Sequence, residues 1–230
     1  MESFIRDVTS LVGAIDDQYE LTRRVAARLS ALLASGCRLP PEVTRPSDER
    51  HVTYPLHIAP DGSWSLASVV WNVGQRTPVH GHETWGVIGI YAGAEREIRY
   101  LKPAASGPCR ALTPAGEQVW ERGQVTVCCT TDDDVHAVAA VGDEPTVGIH
   151  VYGGDIGVIR RRLYDPATGR SAGSPPAGTA RPAHDRSPAG LLSSRPPDVR
   201  TSKRVRRYGL QADDGGQVAP GARWSPRVQV

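Results

Sequence analysis

The stretch that decides the fold runs from Gly74 to Glu95, GQRTPVHGHETWGVIGIYAGAE, and centres on His80 and His82. Side chains alternate faces along a strand, so two histidines at i and i+2 project from the same side with only Gly81 between them. Imidazole is the commonest protein ligand for transition metals, and a pair on one strand needs little ordering to bind. The pair alone is equally compatible with two surface histidines on a loop, so the rest of the chain must choose.

Outward from this stretch the chain is patterned as short strands. Residues 51–58 and 64–71 alternate apolar and polar positions on either side of a Pro60-Asp61-Gly62 turn, which predicts a hairpin. Further strands are predicted at residues 97–101, 110–112, 118–120, 124–129, 135–140, 146–152 and 158–163. Many short strands with turn residues between them are typical of an antiparallel sandwich or barrel. We therefore predict an all-β domain over residues 51–170.

The two ends of the chain differ from this core. Apolar residues at helical spacing predict two amphipathic helices over residues 3–15 and 21–33, so residues 1–50 form a helical segment packed on the barrel. Residues 171–230 are rich in Pro, Ser, Gly and Arg, with 10 Lys+Arg against 4 Asp+Glu, and predict a disordered basic tail. The tail contains His184, which is not expected in a site, and the basic run 203–207, for which specific nucleic-acid binding is not expected.

Composition restricts where the protein works. No apolar run reaches the roughly 18 residues of a membrane span, and the N-terminus does not resemble an export signal. The four cysteines have no CxxC spacing, and unpaired thiols suit a reducing compartment. We expect a cytoplasmic protein without a membrane partner, and a monomer, because no exposed apolar surface is evident.

Two later segments carry further candidate residues. His136 begins a predicted strand about fifty residues after the histidine pair, and His150 and Tyr152 share one face of another strand. A histidine pair on one strand with a lone histidine across a β-barrel resembles the metal site of the cupins, whose fold is a double-stranded β-helix or jelly-roll barrel. The resemblance implies His80, His82 and His136 as metal ligands.

The resemblance narrows to the thiol dioxygenases, the bacterial cysteine dioxygenase and 3-mercaptopropionate dioxygenase type of cupin. It is carried by TPVHGHETWGVIGIYAG, DVHAV, GIHVYGGDIG and RRRLYDPATG, which lie between residues 51 and 169. It implies one Fe(II) per chain and oxidation of a small thiol carboxylate, cysteine or 3-mercaptopropionate, with O2 to the sulfinate. It implies catalytic roles for His150 and Tyr152 and substrate binding by Arg161, with the register among residues 160–162 open. Trp85 is a further expected substrate contact and, with Val87, a water-excluding wall.

The departures from the family pattern bear on the chemistry. Gly86 and Val87 stand where four-ligand cupins carry a Glu ligand. Glu83, which is adjacent to His82 and so faces away, and Glu95, which is too far along the strand, cannot take its place. Three neutral ligands therefore leave a bound ion with its full +2 charge. Gly148 stands where the family's Ser-His-Tyr triad has Ser, and Gly86 stands near the Cys that crosslinks to Tyr in animal members.

The residues leave other functions open. Near Thr53, where family members carry Arg or Gln, this chain has neither, so the thiol is not assigned. A three-histidine set also suits a zinc hydrolase or isomerase, another cupin oxygenase, or a cupin that binds a metal or ligand without catalysis. These alternatives differ in the metal held and in the reaction, which sequence does not fix.

Overall fold

The structure, a computed structural model, describes residues 1–102, 110–129 and 134–175. Two helices come first, α1 (Glu2–Ala14) and α2 (Gln18–Ala34), followed by a short 3-10 turn at Pro41–Val43. Eleven strands follow within these residues: β1 (Val52–Ile58), β2 (Ser65–Trp71), β3 (His80–Gly81), β4 (Gly86–Ala92), β5 (Ala94–Tyr100), β6 (Pro114–Glu121), β7 (Val125–Cys129), β8 (His136–Val141), β9 (Thr146–Tyr152), β10 (Arg161–Tyr164) and β11 (Ser171–Ser174).

The strands form two antiparallel sheets. One has the order β1-β2-β9-β4-β7 and the other has the order β11-β10-β3-β8-β5-β6. Non-consecutive strands are neighbours in both sheets, as in β2 beside β9 and β3 beside β8. This crossing topology brings segments that are distant in sequence to the space between the sheets.

The first sheet has a different core on each face. Along β9, Val147, Ile149 and Val151 belong to the large apolar cluster that includes residues of α1 and α2. His150 and Tyr152, on the alternate positions, line a cavity on the other face. The helices therefore cover one face of the first sheet, and the opposite face lines the cavity.

The second helix lies directly on β4. A Cβ on Gly89 would approach the side chains of Leu29 and Leu33 to 3.0 and 2.8 Å, so glycine at this position allows the close helix–sheet contact. Asp17 caps the helix by accepting a hydrogen bond from the Glu20 backbone N–H at 2.7 Å. The two predicted helices are thus confirmed, and their ends differ from the predicted ones by one to three residues.

The predicted all-β domain is confirmed, with three local corrections. Residues 110–112 are not a strand, and the pairing begins only at Pro114. The strand predicted from residue 158 begins at Arg161, because residues 156–158 form a turn. Ser171–Ser174, which sequence placed in the tail, pair with β10. The rest of the predicted tail, from residue 176, lies outside the described residues, as do His184 and the basic run 203–207.

No helix among the described residues is long and apolar enough to cross a membrane.

The interior of the second sheet contains an unusual carboxyl group. Glu95 is 1% exposed, and its Oε2 has no hydrogen-bond partner. Burial, with a smaller effect of the neighbouring Glu97 carboxylate, raises the pKa of Glu95 to about 8. The folded protein therefore keeps a proton on Glu95 that the unfolded chain releases near its ordinary pKa.

We expect Glu95→Gln to stabilise the protein increasingly as pH rises. The wild-type chain loses stability between the unfolded pKa near 4.5 and the folded pKa of about 8, because folding then requires Glu95 to take up a proton. Urea unfolding at pH 5 and pH 8 should show a gain of Glu95→Gln over wild type that grows by about 3 kcal/mol. Glu117→Gln, at an exposed glutamate of β6, is the control. A gain that does not change with pH would contradict the assigned pKa.

Candidate metal centre

The histidine pair lies on a very short strand between two others. β3 contains only His80 and Gly81, and it pairs with β8 through His80 and His136 and with β10 through Gly81 and Arg162. A Cβ on Gly81 would lie 2.8 Å from the Asp134 backbone oxygen, so only glycine permits this approach. The strand register thus sets His136 directly beside His80.

The three histidines converge on one point. The ring centroids of His80, His82 and His136 are 4.7 to 5.0 Å apart, and the Nε2 atoms of His80 and His82 are 3.3 Å apart. One ligand atom from each residue lies within 4.8 Å of the others, and all three side chains are buried. The Nε2 atom of His136 is buried without a hydrogen-bond partner. Such a cluster could hold a metal ion through three nitrogens.

Each ring is oriented through its other nitrogen. His80 Nδ1 contacts the Pro78 carbonyl oxygen at 3.1 Å, and His82 Nδ1 lies 3.3 Å from Asp134 Oδ1. His136 Nδ1 lies 2.7 Å from Glu97 Oε1. Oxygen acceptors at Nδ1 leave the Nε2 lone pairs available for a metal, so these residues fit a metal centre.

Burial keeps the ligands in the form that binds metal. Desolvation, followed by repulsion from neighbouring cationic groups, holds the pKa of His80 and of His82 well below its usual value. Both rings are therefore neutral at neutral pH. Asp134 also accepts hydrogen bonds from the backbone N–H groups of His82 and Glu83, and burial raises its pKa to about 6.

The charge around the site differs from the sequence interpretation. Three neutral ligands were expected to leave a bound ion with its full charge. Glu97 and Asp134 place carboxyl groups one hydrogen bond behind two of the three ligands, at 2.7 and 3.3 Å. Asp134 is two residues before His136, and Glu97 lies across the β5–β8 ladder. Sequence spacing gave no signal for Glu97, because strand pairing alone brings it to His136.

His150 and Tyr152 are joined beside the cluster. His150 Nδ1 lies 2.8 Å from the Tyr152 hydroxyl, and the Tyr152 ring is 5.2 Å from the His82 ring. Burial, with repulsion from Arg161, lowers the pKa of His150 to about 3, so its ring is neutral. The Tyr152 hydroxyl is thus held next to a candidate ligand by an imidazole that carries no charge.

The space beside Gly148 is already filled, so the difference from serine at this position is more than the loss of a hydroxyl group. A Cβ at this position would lie 2.5 Å from His150 Nε2, so the ring fills part of the volume that a serine would need. His150 Nε2 is buried and has no hydrogen-bond partner. A serine here would require the ring of His150 to shift.

Arg161 faces the cavity, and its neighbour does not. Arg161 lines the cavity with the histidines, and its Nε is buried without a hydrogen-bond partner. Arg162 points the other way, where its Nε lies 3.1 Å from Glu83 Oε1. Alternation along β10 therefore places Arg161 towards the cavity and Arg162 towards Glu83, on the side away from the histidines.

The cavity has further walls that were not predicted from the sequence, formed by His51, Trp71 and Thr77. Thr53, the position near which the sequence has neither the Arg nor the Gln of family members, also lines it. The His51 and Trp71 rings stack at 4.4 Å between centroids, and burial lowers the pKa of His51 to about 4. His51 lies two positions before Thr53, so strand alternation was the available signal.

Trp85 and Val87 require a correction. Both were expected as walls of the site, yet both belong to the apolar cluster on the helix side of the first sheet. A Cβ on Gly153 would run into the Trp85 ring, so the indole packs on that backbone. The apolar walls of the cavity are instead Val69, Ile88 and Val138, on alternate strand positions.

Solved structures with limited similarity to the chain include several cupin proteins. No family model matches the chain. The chain is similar to the cupin domain of Schizosaccharomyces pombe Cnp3 (12% identity, 46% of this chain, 61% of that chain, TM-score 0.35). It is also similar to an RmlC-like cupin protein from Desulfovibrio desulfuricans (23%, 50%, 93%, TM-score 0.33) and to oxalate oxidase in complex with glycolate (17%, 50%, 59%, TM-score 0.38).

At these identities the likeness concerns the fold alone, and the chain spans only about three fifths of the Cnp3 and oxalate oxidase chains. The two antiparallel sheets, which both contribute walls to one cavity, define the class. The chain has the cupin fold, a double-stranded β-helix preceded by two helices, and carries a possible three-histidine metal site.

Proposed function

We propose that the protein is a mononuclear iron(II) thiol dioxygenase that converts a small thiol carboxylate into its sulfinate. The observation that carries the proposal is the common cavity of the three histidines, Tyr152 and Arg161. A metal site, a phenol beside it and a cation that faces the same cavity are the three groups that this reaction requires. The partners are therefore a small thiol and O2, and each chain is proposed to act alone in the cytoplasm.

Iron(II) held by His80, His82 and His136 would supply adjacent positions for the substrate sulfur and for O2, and would mediate electron transfer between them. The balanced reaction is RSH + O2 → RSO2⁻ + H⁺, in which the sulfur is oxidised and gains both oxygen atoms. The thiol proton and any proton shared with oxygen must be handled by side chains of the cavity.

Arg161 is proposed to bind the carboxylate end of the substrate. Its buried Nε has no acceptor within the described residues, and an unsatisfied buried N–H is costly, so a bound carboxylate would stabilise it. A guanidinium can hold a carboxylate with two parallel hydrogen bonds, which fixes the direction of the ligand. The sulfur end would then point towards the histidines.

Tyr152 is proposed to donate a hydrogen bond at the reacting oxygen or sulfur. The neutral His150 ring, 2.8 Å from the hydroxyl, can accept or return the phenol proton as the reaction proceeds. The side chains of Val69, Ile88 and Val138 would exclude bulk water from the same space.

The proposal is tested by O2 consumption with protein loaded anaerobically with Fe(II). Cysteine, 3-mercaptopropionate, cysteamine and a thiol-free control should be compared, with the product identified by mass spectrometry. We expect uptake with a thiol carboxylate and an equal amount of its sulfinate. Bound iron without oxidation of any thiol would reject the proposal in favour of a cupin that binds metal for another purpose.

We expect Tyr152→Phe to lower kcat by about 10²-fold, because it removes the proton donor while leaving the ring in place. Iron content should not change, since the hydroxyl is not a ligand in this account. Tyr54→Phe is a matched control, because the Tyr54 hydroxyl donates to the Arg45 carbonyl oxygen at 2.9 Å, away from the cavity. Unchanged kcat in the Tyr152→Phe protein would remove Tyr152 from the mechanism.

A further inference from the structure

A buried hydrogen-bond network stands behind His136. Glu97 is 2% exposed, and its two oxygens have different partners. Oε1 lies 2.7 Å from His136 Nδ1. Oε2 accepts from Trp120 Nε1 at 2.9 Å and from Arg99 Nη2 at 3.2 Å. Both contacts of Oε2 are therefore with groups that can only donate.

The donors on the Oε2 side are themselves fixed. Arg99 also donates to the Thr126 hydroxyl at 3.1 Å and to the Val127 carbonyl oxygen at 2.8 Å, which anchors its guanidinium on the opposite sheet. Neither an indole nor a guanidinium can become an acceptor. The orientation of Glu97 is thus set from outside the metal centre, and Oε1 must present lone pairs to His136.

We propose that Glu97 is a positioning residue that fixes the hydrogen of the His136 ring on Nδ1 and so presents the Nε2 lone pair to the metal. A neutral imidazole carries one ring hydrogen, and the hydrogen bond at one nitrogen decides which nitrogen has it. The buried Nε2 of His136, which has no partner, is the atom left open by this arrangement. The role holds for any divalent metal at the three histidines and does not depend on thiol chemistry.

Glutamine at residue 97 would reverse this arrangement. Its amide oxygen would face Trp120 and Arg99, which can only donate, and its NH2 group would face His136 Nδ1. Nδ1 would then have to accept, so the ring hydrogen would move to Nε2 and block metal binding. The opposite amide orientation would set an NH2 group against two donors, which is less favourable.

The direct test is 15N NMR of protein labelled at histidine, without metal, because a ring nitrogen with hydrogen and one with a lone pair differ widely in chemical shift. The His136 signals are assigned by their absence from the His136→Gln protein. We expect Nδ1–H in wild type and Nε2–H in Glu97→Gln. Nε2–H in wild type would overturn the proposal.

Metal affinity gives a second readout. A Zn(II) competition titration should show Glu97→Gln binding about 10–100-fold more weakly than wild type, the cost typical of losing a partner behind a ligand. Glu95→Gln is the matched control, since Glu95 is a buried glutamate two residues away on β5 that makes no hydrogen bond to the three histidines within the described residues. Equal loss in both variants would assign the effect to the fold of β5 and overturn the role of Glu97. Failure of thiol oxidation in wild type would leave both readouts valid.

Discussion

Replacing His80 with alanine is expected to abolish metal binding and thiol-dependent O2 uptake together. His80 contributes one of three converging Nε2 atoms, and two ligands cannot define the site that three do. The loss of affinity should exceed the roughly 10–100-fold that removal of an outer partner costs. Metal content after anaerobic loading, measured by elemental analysis, and O2 uptake are the two readouts.

His57→Ala is the control for this experiment. His57 is also a histidine near the start of the barrel, but its ring lies against Trp64, at 4.8 Å between centroids, outside the cavity. It should retain metal and activity. A His80→Ala protein that kept full iron and full activity would reject the metal centre, whatever happened to the His57 variant.

Replacing Arg161 with glutamine is expected to raise KM for a thiol carboxylate by about 10–100-fold, because a charge-assisted hydrogen bond stabilises by roughly 1.5–3 kcal/mol. The effect should fall on KM more than on kcat, since the carboxylate is held in both the bound and reacting states. A thiol without a carboxylate, such as cysteamine, should be affected far less. Steady-state kinetics with both thiols check this.

Arg162→Gln provides a matched control one residue away. Its guanidinium pairs with Glu83 at 3.1 Å and is largely exposed, so its removal should change KM by less than about twofold. Equal effects of the two substitutions would mean that general positive charge, and not a carboxylate contact by Arg161, determines binding.

Local patterns were sufficient to predict much of the architecture. Period-two alternation predicted β1 and β8, and helical spacing predicted α1 and α2, because each of these elements buries mainly one face. Ser171–Ser174 escaped prediction because small polar residues carry no such pattern. Their strand is defined by backbone pairing with β10.

The histidines could be predicted as a cluster because the spacing of His80 and His82 fixes their common side, and a resemblance added His136. Glu97 could not be predicted in the same way, because it reaches His136 only through the β5–β8 register. His51 was missed although its spacing of two from Thr53 was an available signal. Trp85 was assigned to the site because it is a large aromatic residue close to the ligands in sequence. The alternation of side chains along the strand instead places it on the helix side of the first sheet.

The measurement that tests the central claim most directly is the mass of the product formed from a thiol carboxylate by iron-loaded protein under 18O2. We expect a sulfinate that carries two labelled oxygen atoms, formed in step with O2 consumption and absent without the thiol. A product with no label or with one labelled oxygen atom, or a disulfide in place of a sulfinate, would contradict it.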